Sequence, residues 1–526
     1  MNTGFKNKII WVISVLAVLF AAILILNFSL KNKLKKMFDD LPKTVKIAYK
    51  DISVNVLSGH VGLTEPVVSV YGKTTNRINA KVALKSLDLN GFGYFDYFFN
   101  DKIGLDAIMI NQPKITYFHN DAVKSNSYLD AFGSGLKQAV EIESIQIKDG
   151  NIEIYKVSKD SLMLKSEAID FNISMLEIDQ AKNSNPIVYK DFSLICDNLF
   201  YMMNDYENLF LEHADFNSKD SKVSGLSIKT KYSTDELSQR ISKERDYFNL
   251  KIDSVVIKDQ DFGFKQDSLF YFKSQRIDFY QPDFKIYRDK LVEDDLSIKP
   301  LYSKSLRNLG FSIDLSNVFL KNASIVYTEK VKNDTEGGQL LFSKLNAEIK
   351  NLSNHYKNGE NLVSIGVDAI FMENTPINVQ WDFDVSHLDD AFVFKADMDA
   401  LKADAMNQFM EPNLNVRLEG EIDKTYFTIS GGNHIANIDL KLKYDDFDVI
   451  ILKQDGKEKN KLLSSLVNLF VSKDSKKKSD SDRFRYGTKE GVERDQTKSV
   501  FNYLWLNIKA GLLNAMTGDG KEDKSN

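Results

Sequence analysis

One pattern recurs five times along this chain of 526 residues and constrains its fold more than any other feature. In each copy, two apolar residues spaced two apart precede four mostly polar residues, and two more apolar residues spaced two apart follow. Alternation of this kind is typical of a β-strand with one buried face and one exposed face. The copies are AIMINQPKITYF (107–118), SIQIKDGNIEIY (144–155), SVVIKDQDFGFK (254–265), RIDFYQPDFKIY (276–287) and NVFLKNASIVYT (317–328).

The four-residue spacer of this pattern has two interpretations. In the copy at 144–155, Asp149 and Gly150 match the two-residue turn of a β-hairpin, which would place the two apolar pairs opposite each other. Two other copies carry Pro113 or Pro282 at the third spacer position, and proline cannot adopt the positive φ of such a turn. A bulge within one strand fits those copies better, because one extra residue keeps both apolar pairs on one face.

Both interpretations give every copy one apolar face and one polar face. Such a face must be covered by a second sheet, by helices or by a ligand, and the sequence predicts only a few short helices. They include STDELSQRISKERDYF (233–248), which opens with a capping box at Ser233, and KNKLLSSLVNLF (459–470). A closed β-sandwich, in which these residues are ordinary core, is the competing interpretation. The candidate residues for this face are Ile108, Ile110, Ile115, Tyr117, Ile145, Ile147, Ile152, Ile154, Val255, Ile257, Phe262, Phe264, Ile277, Phe279, Phe284, Ile286, Val318, Leu320, Ile325 and Tyr327.

Composition agrees with a strand-rich fold. The chain has 35 Phe and 22 Tyr but only 8 Pro, and further alternating stretches extend the pattern from about Val45 to Leu452. The net charge of -5 is small for this length and predicts no nucleic-acid partner. We therefore expect a mainly β, mostly antiparallel structure.

The N-terminus predicts a membrane segment. IIWVISVLAVLFAAILIL (9–26) carries no charge and runs on to Leu30, which is long enough to span a bilayer. Its length favours an uncleaved anchor over a cleaved signal peptide. Four lysines follow the segment and two precede it, so lysine counting alone would keep the long domain in the cytoplasm, although the rule weakens for large translocated domains.

Near the C-terminus, residues 472–497 are charged and poor in apolar side chains, which is typical of a solvated linker. The stretch that follows predicts an amphipathic helix within residues 498–526. Two interpretations of its apolar face stay open: a membrane-interface helix, or a cap packed on the β structure. The candidates for a membrane interface are Phe501, Leu504, Trp505, Ile508 and Leu512.

No local motif predicts catalysis, a metal or a cofactor. The six histidines show no paired-ligand spacing, and the single cysteine, Cys196, lies in an apolar run that predicts burial. The sequence also has no phosphate-binding glycine loop and no G-x-S-x-G nucleophile motif. We expect no enzyme activity.

The sequence resembles the AsmA-like family of bacterial envelope proteins, which has TamB-type and bridge-like lipid transfer relatives. After the anchor, KIAYKDISVNVLSGHVGLTEPVVSV and KSLDLNGFGYFDYFFNDKIGLDAIMINQPKITYF look like the N-terminal module of that family. The I-x-I-x-D-G-x-I-x-I units and the stretch FKADMDALKADAMNQFMEPNLNVRLEGEIDKTYFTISG, with Pro412, are similar to it as well. The resemblance covers about residues 1–470.

This resemblance implies an elongated, curled β-sheet with an apolar groove open along one side. It also implies a single-pass protein of the bacterial inner membrane, anchored through residues 9–30, with the bulk of the chain in the periplasm. The groove would bind and conduct phospholipid acyl chains for envelope and outer-membrane lipid homeostasis, and an outer-membrane or periplasmic protein would be a further partner. A scaffold for envelope proteins without lipid transfer is the alternative.

The resemblance and the composition together predict five regions. They are a cytoplasmic stub and transmembrane anchor (1–37), an AsmA-like repeated β groove (38–330), a C-terminal AsmA-like β region with short helices (331–471), the charged linker (472–497), and the amphipathic helix and tail (498–526).

Overall fold

Two compact units make up the chain. Unit 1 comprises Met1–Met203 and Leu209–Ser218, and unit 2 comprises Asn204–Asn208 and Lys219–Asn526. Most described residues lie in β-strands, which confirms the predicted mainly β fold with an N-terminal helix and a few short helices. This computed structural model describes residues 3–72, 77–100, 102–120, 138–157, 161–179, 187–265, 269–354, 362–452 and 484–517.

Unit 1 begins with one long helix, α1 (Thr3–Asp39). Within it, Leu16–Asp39 is long and apolar enough to cross a membrane, and its apolar side chains are exposed, as at Phe28 (67%). An exposed apolar surface of this length is costly in water and favourable in lipid. The predicted N-terminal membrane-type helix is therefore present.

Short strands and one short helix follow α1, and long strands follow these. The strands are β1 (Val45–Ala48), β2 (Asp51–Asn55), β3 (His60–Thr64), β4 (Val67–Tyr71), β5 (Ile78–Ala83), β6 (Ser86–Asn90), β7 (Lys102–Asn111), β8 (Lys114–His119), β9 (Ala139–Lys156), β10 (Ser161–Ile178), β11 (Ile187–Val188) and β12 (Asp191–Met202), and helix α2 is Tyr94–Phe99.

The strands of unit 1 pair into one sheet with two levels. At one level the order is β2–β3–β6–β7–β9, and at the other it is β1–β4–β5–β8–β9. Strand β9 is long enough to join both levels, and β10 and β12 follow it. All these pairs are antiparallel except those of β7 and β8 with β9, so the predicted mostly antiparallel order holds.

Unit 2 contains longer strands and most of the short helices. Strand β13 (Glu207–Asn217) contributes residues to both units. The strands of unit 2 are β14 (Ser221–Thr230), β15 (Asp246–Phe264), β16 (Phe270–Tyr280), β17 (Asp283–Asp289), β18 (Ser312–Lys330), β19 (Gly338–Ser353), β20 (Leu362–Phe371), β21 (Thr375–Asp384), β22 (Phe392–Met398), β23 (Leu401–Lys402), β24 (Val416–Gly431), β25 (Ile435–Ile451) and β26 (Arg485–Glu493). The helices are α3 (Thr234–Arg240), α4 (Tyr302–Arg307), a 3₁₀ turn (Ala403–Met406), α5 (Asn407–Leu414) and α6 (Val500–Thr517).

The strands of unit 2 also follow one order. Strands β14, β15, β16, β18, β19, β20, β21, β22, β24, β25 and β26 are consecutive neighbours, and β17 pairs with both β15 and β18. The pairs of β16 and β17 with β18 are parallel, and the others in this order are antiparallel. The parallel step repeats the arrangement of β7, β8 and β9 in unit 1.

All five copies of the recurring pattern are bulged strands, so the bulge interpretation is confirmed and the hairpin interpretation is wrong. Strand β9, for example, runs through the whole copy 144–155. The second spacer residue of each copy has a left-handed φ between 47° and 52° and is exposed, whereas the third is buried. The extra residue restores the face on which the second apolar pair lies. The second and third residues are Gln112 and Pro113, Asp149 and Gly150, Asp259 and Gln260, Gln281 and Pro282, and Asn322 and Ala323.

Backbone bonds between neighbouring copies explain why proline is tolerated. Each proline lacks an N–H, but its carbonyl oxygen still accepts a hydrogen bond from the next strand. The strand is therefore interrupted at the proline while its pairing with the neighbouring strand continues. The N–H of Gln112 donates to Lys148 O (2.8 Å) and that of Asn151 to Pro113 O (2.7 Å), as the N–H of Gln281 donates to Lys321 O (2.9 Å) and that of Ser324 to Pro282 O (2.7 Å).

In the three copies without proline, a neighbouring Asp or Asn completes the bulge. Its side-chain oxygen accepts the N–H of the left-handed residue, which the ladder leaves without a backbone partner. These bonds run from Asp149 to Asp170 Oδ1 (2.8 Å), from Asp259 to Asp220 Oδ1 (3.2 Å) and from Asn322 to Asn346 Oδ1 (3.0 Å).

Four sequence predictions, about helices, the linker and a domain boundary, need correction or limits. The capping box at Ser233 is present, but its helix ends at Arg240 and strand β15 begins at Asp246. Residues 485–493, within the predicted linker 472–497, form strand β26, because the backbone of this charged stretch pairs with β25. The predicted helix KNKLLSSLVNLF lies outside the described residues. The predicted boundary at residue 330 falls inside unit 2, at the end of β18.

Candidate functional site

The candidate apolar residues of unit 1 lie in rows that cross its sheet. Residues opposite each other on neighbouring strands share a face, so each row is one line of apolar side chains. We call this surface the unit 1 apolar face. One row is Ile52, Leu63, Leu87, Ile110, Ile147, Phe171 and Leu194, and the next is Val54, Val61, Leu89, Ile108, Ile145, Ile173 and Phe192.

Two further rows continue this face beyond the bulges. Their residues are Ile47, Val68, Val82, Ile115 and Ile152 in one row, and Val45, Val70, Ala80, Tyr117, Ile154 and Leu164 in the other. A Cβ built on Gly150 would lie 3.4 Å from Ile147 Cγ2 and 3.1 Å from Pro113 Cγ. The bulge therefore brings apolar groups together on the same side of the sheet.

Most of the unit 1 apolar face is partly exposed. All eight candidate residues of unit 1 have intermediate exposure, although Ile52 is fully buried. A buried cluster of Val140, Ile142, Leu176 and Ile178 closes only the end of the sheet beside α2. An apolar sheet face that stays partly open is unusual for a folded core, which makes this face the candidate interaction surface of unit 1.

Unit 2 has a corresponding surface, which we call the unit 2 apolar face. Its two central rows each cross ten strands of the sheet. One row is Val223, Val255, Phe279, Leu320, Ala347, Val367, Val379, Ala396, Phe427 and Leu440, and the other is Ser221, Ile257, Ile277, Val318, Ile349, Ile365, Trp381, Phe394, Ile429 and Ile438.

The twelve candidate residues of unit 2 differ in exposure. Val255 (7%), Ile277 (6%) and Val318 (5%) are buried by their strand neighbours, so they behave as core. Phe264 is 68% exposed and contacts Phe270 edge-on at the end of the β15–β16 pair, with ring centroids 5.5 Å apart. The remaining eight have intermediate exposure.

Further aromatic rings extend the face beyond the bulges of unit 2. Phe248 stacks on Phe284 at 5.8 Å, and Phe342 contacts Phe371 at 5.0 Å. Such pairs contribute about 0.5–1.5 kcal/mol beyond the area that they bury. This part of the face is therefore aromatic as well as apolar.

Helices cover the other end of the unit 2 apolar face. Helix α6 packs on β25 and β26, where a Cβ on Gly511 would lie 3.2 Å from Ile438 Cδ1 and from Leu440 Cβ. Residues of α4, of the 3₁₀ turn and of β20–β25 join the same closed core, in which Leu442 and Tyr444 are fully buried. Here the apolar rows are ordinary core, as the sandwich interpretation expected.

The C-terminal helix is the predicted amphipathic helix, and its apolar side is a cap on the sheet. Leu504 is buried, and Ile508 and Leu512 pack against the closed core. These three residues are therefore not a membrane surface, because they are already covered by protein. Phe501 (62%) and Trp505 (39%) remain exposed.

An ion pair lies at the edge of the unit 2 apolar face, where β15 begins and β17 ends. Arg288 donates two hydrogen bonds to Asp246, of 2.6 and 2.7 Å. Burial lowers the pKa of Arg288, but these hydrogen bonds outweigh it and raise that pKa above its ordinary value. Burial also raises the pKa of Tyr287 to about 12 and, with the charge of Glu329, that of Tyr327. These polar groups mark where the apolar surface ends.

The opposite face of the unit 2 sheet is polar and holds a buried carboxylate. Asp278 is 4% exposed and accepts bonds from Arg276, at 2.8 Å, while Lys321 lies 2.9 Å away. The hydrogen bonds from Arg276, followed by those from Lys321, hold the pKa of Asp278 below its ordinary value. Arg276 also lies over the ring of Phe319, 4.6 Å from its centroid.

A cavity of about 910 Å³ lies on this polar face, across β18–β22 and β24–β26. Tyr486 and Thr488 line it, whereas a Cβ on the intervening Gly487 would lie against α6, on the other side of the sheet. Lys395, Asp397 and the ring of Tyr426 are among its polar walls. Row residues such as Leu320 and Val367 also contribute to its lining, between these polar walls.

No group of three or more His, Cys, Asp or Glu among the described residues could hold a metal ion. Cys196 is buried, as predicted, and burial raises the pKa of its thiol. A scan against models of protein families gives no match for this chain, and a search of curated proteins also gives none. The resemblance to AsmA-like proteins therefore stays a prediction.

The sequence interpretation missed the strands that complete the rows. Strand β10 supplies Phe171 and Ile173, and β12 supplies Phe192 and Leu194. Their alternation, apolar at every second residue, was a usable signal. It was hidden because Ala168 and Asn198 carry their own left-handed bulges, which shift the alternation by one residue.

Proposed function

We propose that this chain is a membrane-anchored protein whose apolar β faces bind phospholipid acyl chains and conduct them along the sheet. The observation that carries the proposal is the set of partly exposed apolar rows in unit 1, and unit 2 adds partly exposed row residues such as Ile257, Phe279 and Leu320. Each buried CH₂ contributes about 0.8 kcal/mol, so an acyl chain lying along a row would bind without any catalytic group. The head group would stay in water beyond the rim.

The dimensions fit this ligand. A row across the seven strands of unit 1 has six spacings of about 4.8 Å, or roughly 29 Å. The hydrocarbon core of a bilayer is about 30 Å thick and holds two opposed acyl layers, so one chain is about half as long as the row. A row can therefore hold a chain at more than one position, which is what movement along the face requires.

The proposed place of action is the bacterial inner membrane, with helix α1 as a single-pass anchor and the bulk of the chain in the periplasm. The exposed apolar length of α1 supports anchoring, and the resemblance to AsmA-like envelope proteins supports the compartment. We further propose that envelope and outer-membrane lipid homeostasis is the process served. Protease treatment of intact spheroplasts should digest the β units, and protection of these units would contradict the proposed orientation.

The decisive experiment compares charges on the two faces of the same strands. The full chain carrying Ile147→Asp, Ile257→Asp and Leu320→Asp is purified in mild detergent, and its bound phospholipid is quantified by mass spectrometry. The matched control carries Gln146→Asp, Val256→Asp and Phe319→Asp, one residue away on the opposite face. Both variants keep α1, so lipid bound around the anchor is the same in both.

We expect the apolar-face variant to lose lipid at least about tenfold, because burying a charge beside an acyl chain costs more than 1.4 kcal/mol. The control should retain lipid, and both should melt as folded proteins. Equal lipid content in the two variants would contradict the proposal. A protein bound stoichiometrically in place of lipid would favour the scaffold function instead.

A further inference from the structure

A small apolar patch, which we call the aromatic seat, lies at one end of unit 1. Helix α2 and the turn between β2 and β3 supply its side chains. Scattered exposed apolar residues are ordinary, but a cluster of large ones marks an interaction surface. The members are Leu57 (74% exposed), Phe95 (68%), Tyr97 (40%) and Phe99 (75%).

Contacts between α1 and the β2–β3 turn fix the level of this seat relative to a membrane. The N–H of Val56 donates to Asn27 Oδ1 at 2.7 Å, and Lys31 Nζ binds Asp51 Oδ1 at 2.9 Å. The apolar run of α1 ends at Leu30, three residues after Asn27. These three residues correspond to about 4.5 Å along the helix axis. The turn therefore stands at the edge of any hydrocarbon layer that α1 crosses.

Helix α2 is held beside the same turn. The N–H of Phe92 donates to Gly59 O at 3.2 Å, and the ring of Phe92 lies 5.5 Å from that of Tyr97. Gly59 has a φ of 62°, and a Cβ there would lie only 3.0 Å from Phe92 O, so the close approach requires glycine. The rings of Phe95 and Phe99 then project from an element at the level of the turn.

The strands lead away from this end of unit 1. Residue Ala139, at the start of β9, pairs with Lys102 just after α2. At the other end of β9, the N–H of Val157 donates to His119 O at 2.9 Å. With about 3.3 Å per residue, the two ends of β9 are up to roughly 60 Å apart along the strand.

We propose that the aromatic seat inserts into the headgroup–acyl boundary of the same membrane that α1 crosses. Aromatic side chains favour this boundary, and Lys33, Lys35 and Lys36 follow the apolar run where anionic head groups would lie. The end of the unit 1 sheet beside α2, which the buried cluster of Val140 and Ile142 closes, then faces the bilayer. The inference rests on the membrane anchoring in the proposed function, but not on lipid transport.

The chain has one cysteine, which is buried, so depth can be measured with single labels. In a Cys196→Ser background, the full chain receives an environment-sensitive fluorophore at Phe99→Cys, at Phe95→Cys or, as a control, at Val157→Cys (49% exposed). Each protein is reconstituted into phosphatidylcholine vesicles that contain phosphatidylglycerol. Quenching is compared between brominated lipids and aqueous iodide.

We expect bromolipid to quench the labels at positions 95 and 99, and iodide to quench the label at 157. Iodide quenching at 99 as strong as that at 157 would overturn the seat, as would bromolipid quenching at all three positions. Alkaline carbonate extraction separates the two proposals. Release of the unlabelled chain from vesicles would contradict anchoring, whereas a retained chain with a water-exposed position 99 contradicts the seat alone.

Discussion

The unit 1 apolar face and the helix-covered end of unit 2 have the same strand pattern but different surroundings. In unit 1, Ile145 and Ile147 stay partly exposed on their rows. In unit 2, Ile438 (1%) and Leu440 (3%) occupy equivalent row positions beneath α6. At these positions the difference comes from helix α6, which packs on β25 and β26. Alternating apolar residues therefore specify a face, while the elements placed on that face decide whether it is core or binding surface.

The largest expected contrast is in stability. Leu442→Ala in the covered core should lower the free energy of unfolding by about 2–5 kcal/mol, because it leaves a cavity that neighbours cannot fill. Ile147→Ala on the open face should cost about 1 kcal/mol or less, since its side chain is already partly in water. Urea titration followed by circular dichroism measures both. Equal losses would show that the unit 1 face is a closed core.

An intermediate effect should come from lifting the covering helix. A Cβ at Gly487 would clash with backbone atoms of α6, including the N of Ala515 at 2.7 Å, so Gly487→Ala should cost about 1–3 kcal/mol. It should also speed proteolysis of α6 in the folded protein. Gly366→Ala is the matched control, because its nearest neighbour would be Gln380 Oε1 at 3.6 Å. An unchanged Gly487→Ala protein would mean that α6 does not close the core.

The smallest expected effect concerns the bulge that the two regions share. Asp149 in unit 1 and Asp446 in the covered part of unit 2 both have left-handed φ values, of 52° and 43°. A β-branched residue is strained there, so Asp149→Val and Asp446→Val should each cost about 1–2 kcal/mol. Substituting glycine at either position should leave the free energy of unfolding almost unchanged. A large cost at one site only would show that the bulge serves different purposes in the two regions.

The sequence was sufficient for the mainly β fold and the N-terminal helix, but it favoured the bulge over the hairpin only in the two copies that contain proline. Proline at positions 113 and 282 excluded the hairpin turn on steric grounds, and the structure agrees. The pattern could not reveal which rows would be covered, because covering depends on contacts between residues distant in sequence, such as Gly487 with Gly511. The same limit explains β26, whose charged residues pair with β25 rather than forming a linker.

The account is tested most directly by finding what touches each face in the membrane. A short aliphatic diazirine side chain is placed at Ile147 or at Ile438 of the full chain, and the cross-linked products are identified by mass spectrometry after illumination of native membranes. We predict that position 147 captures phospholipid and that position 438 captures peptides of α6. Capture of only this chain's own peptides at position 147 would contradict the account, because the unit 1 apolar face would then be covered by protein.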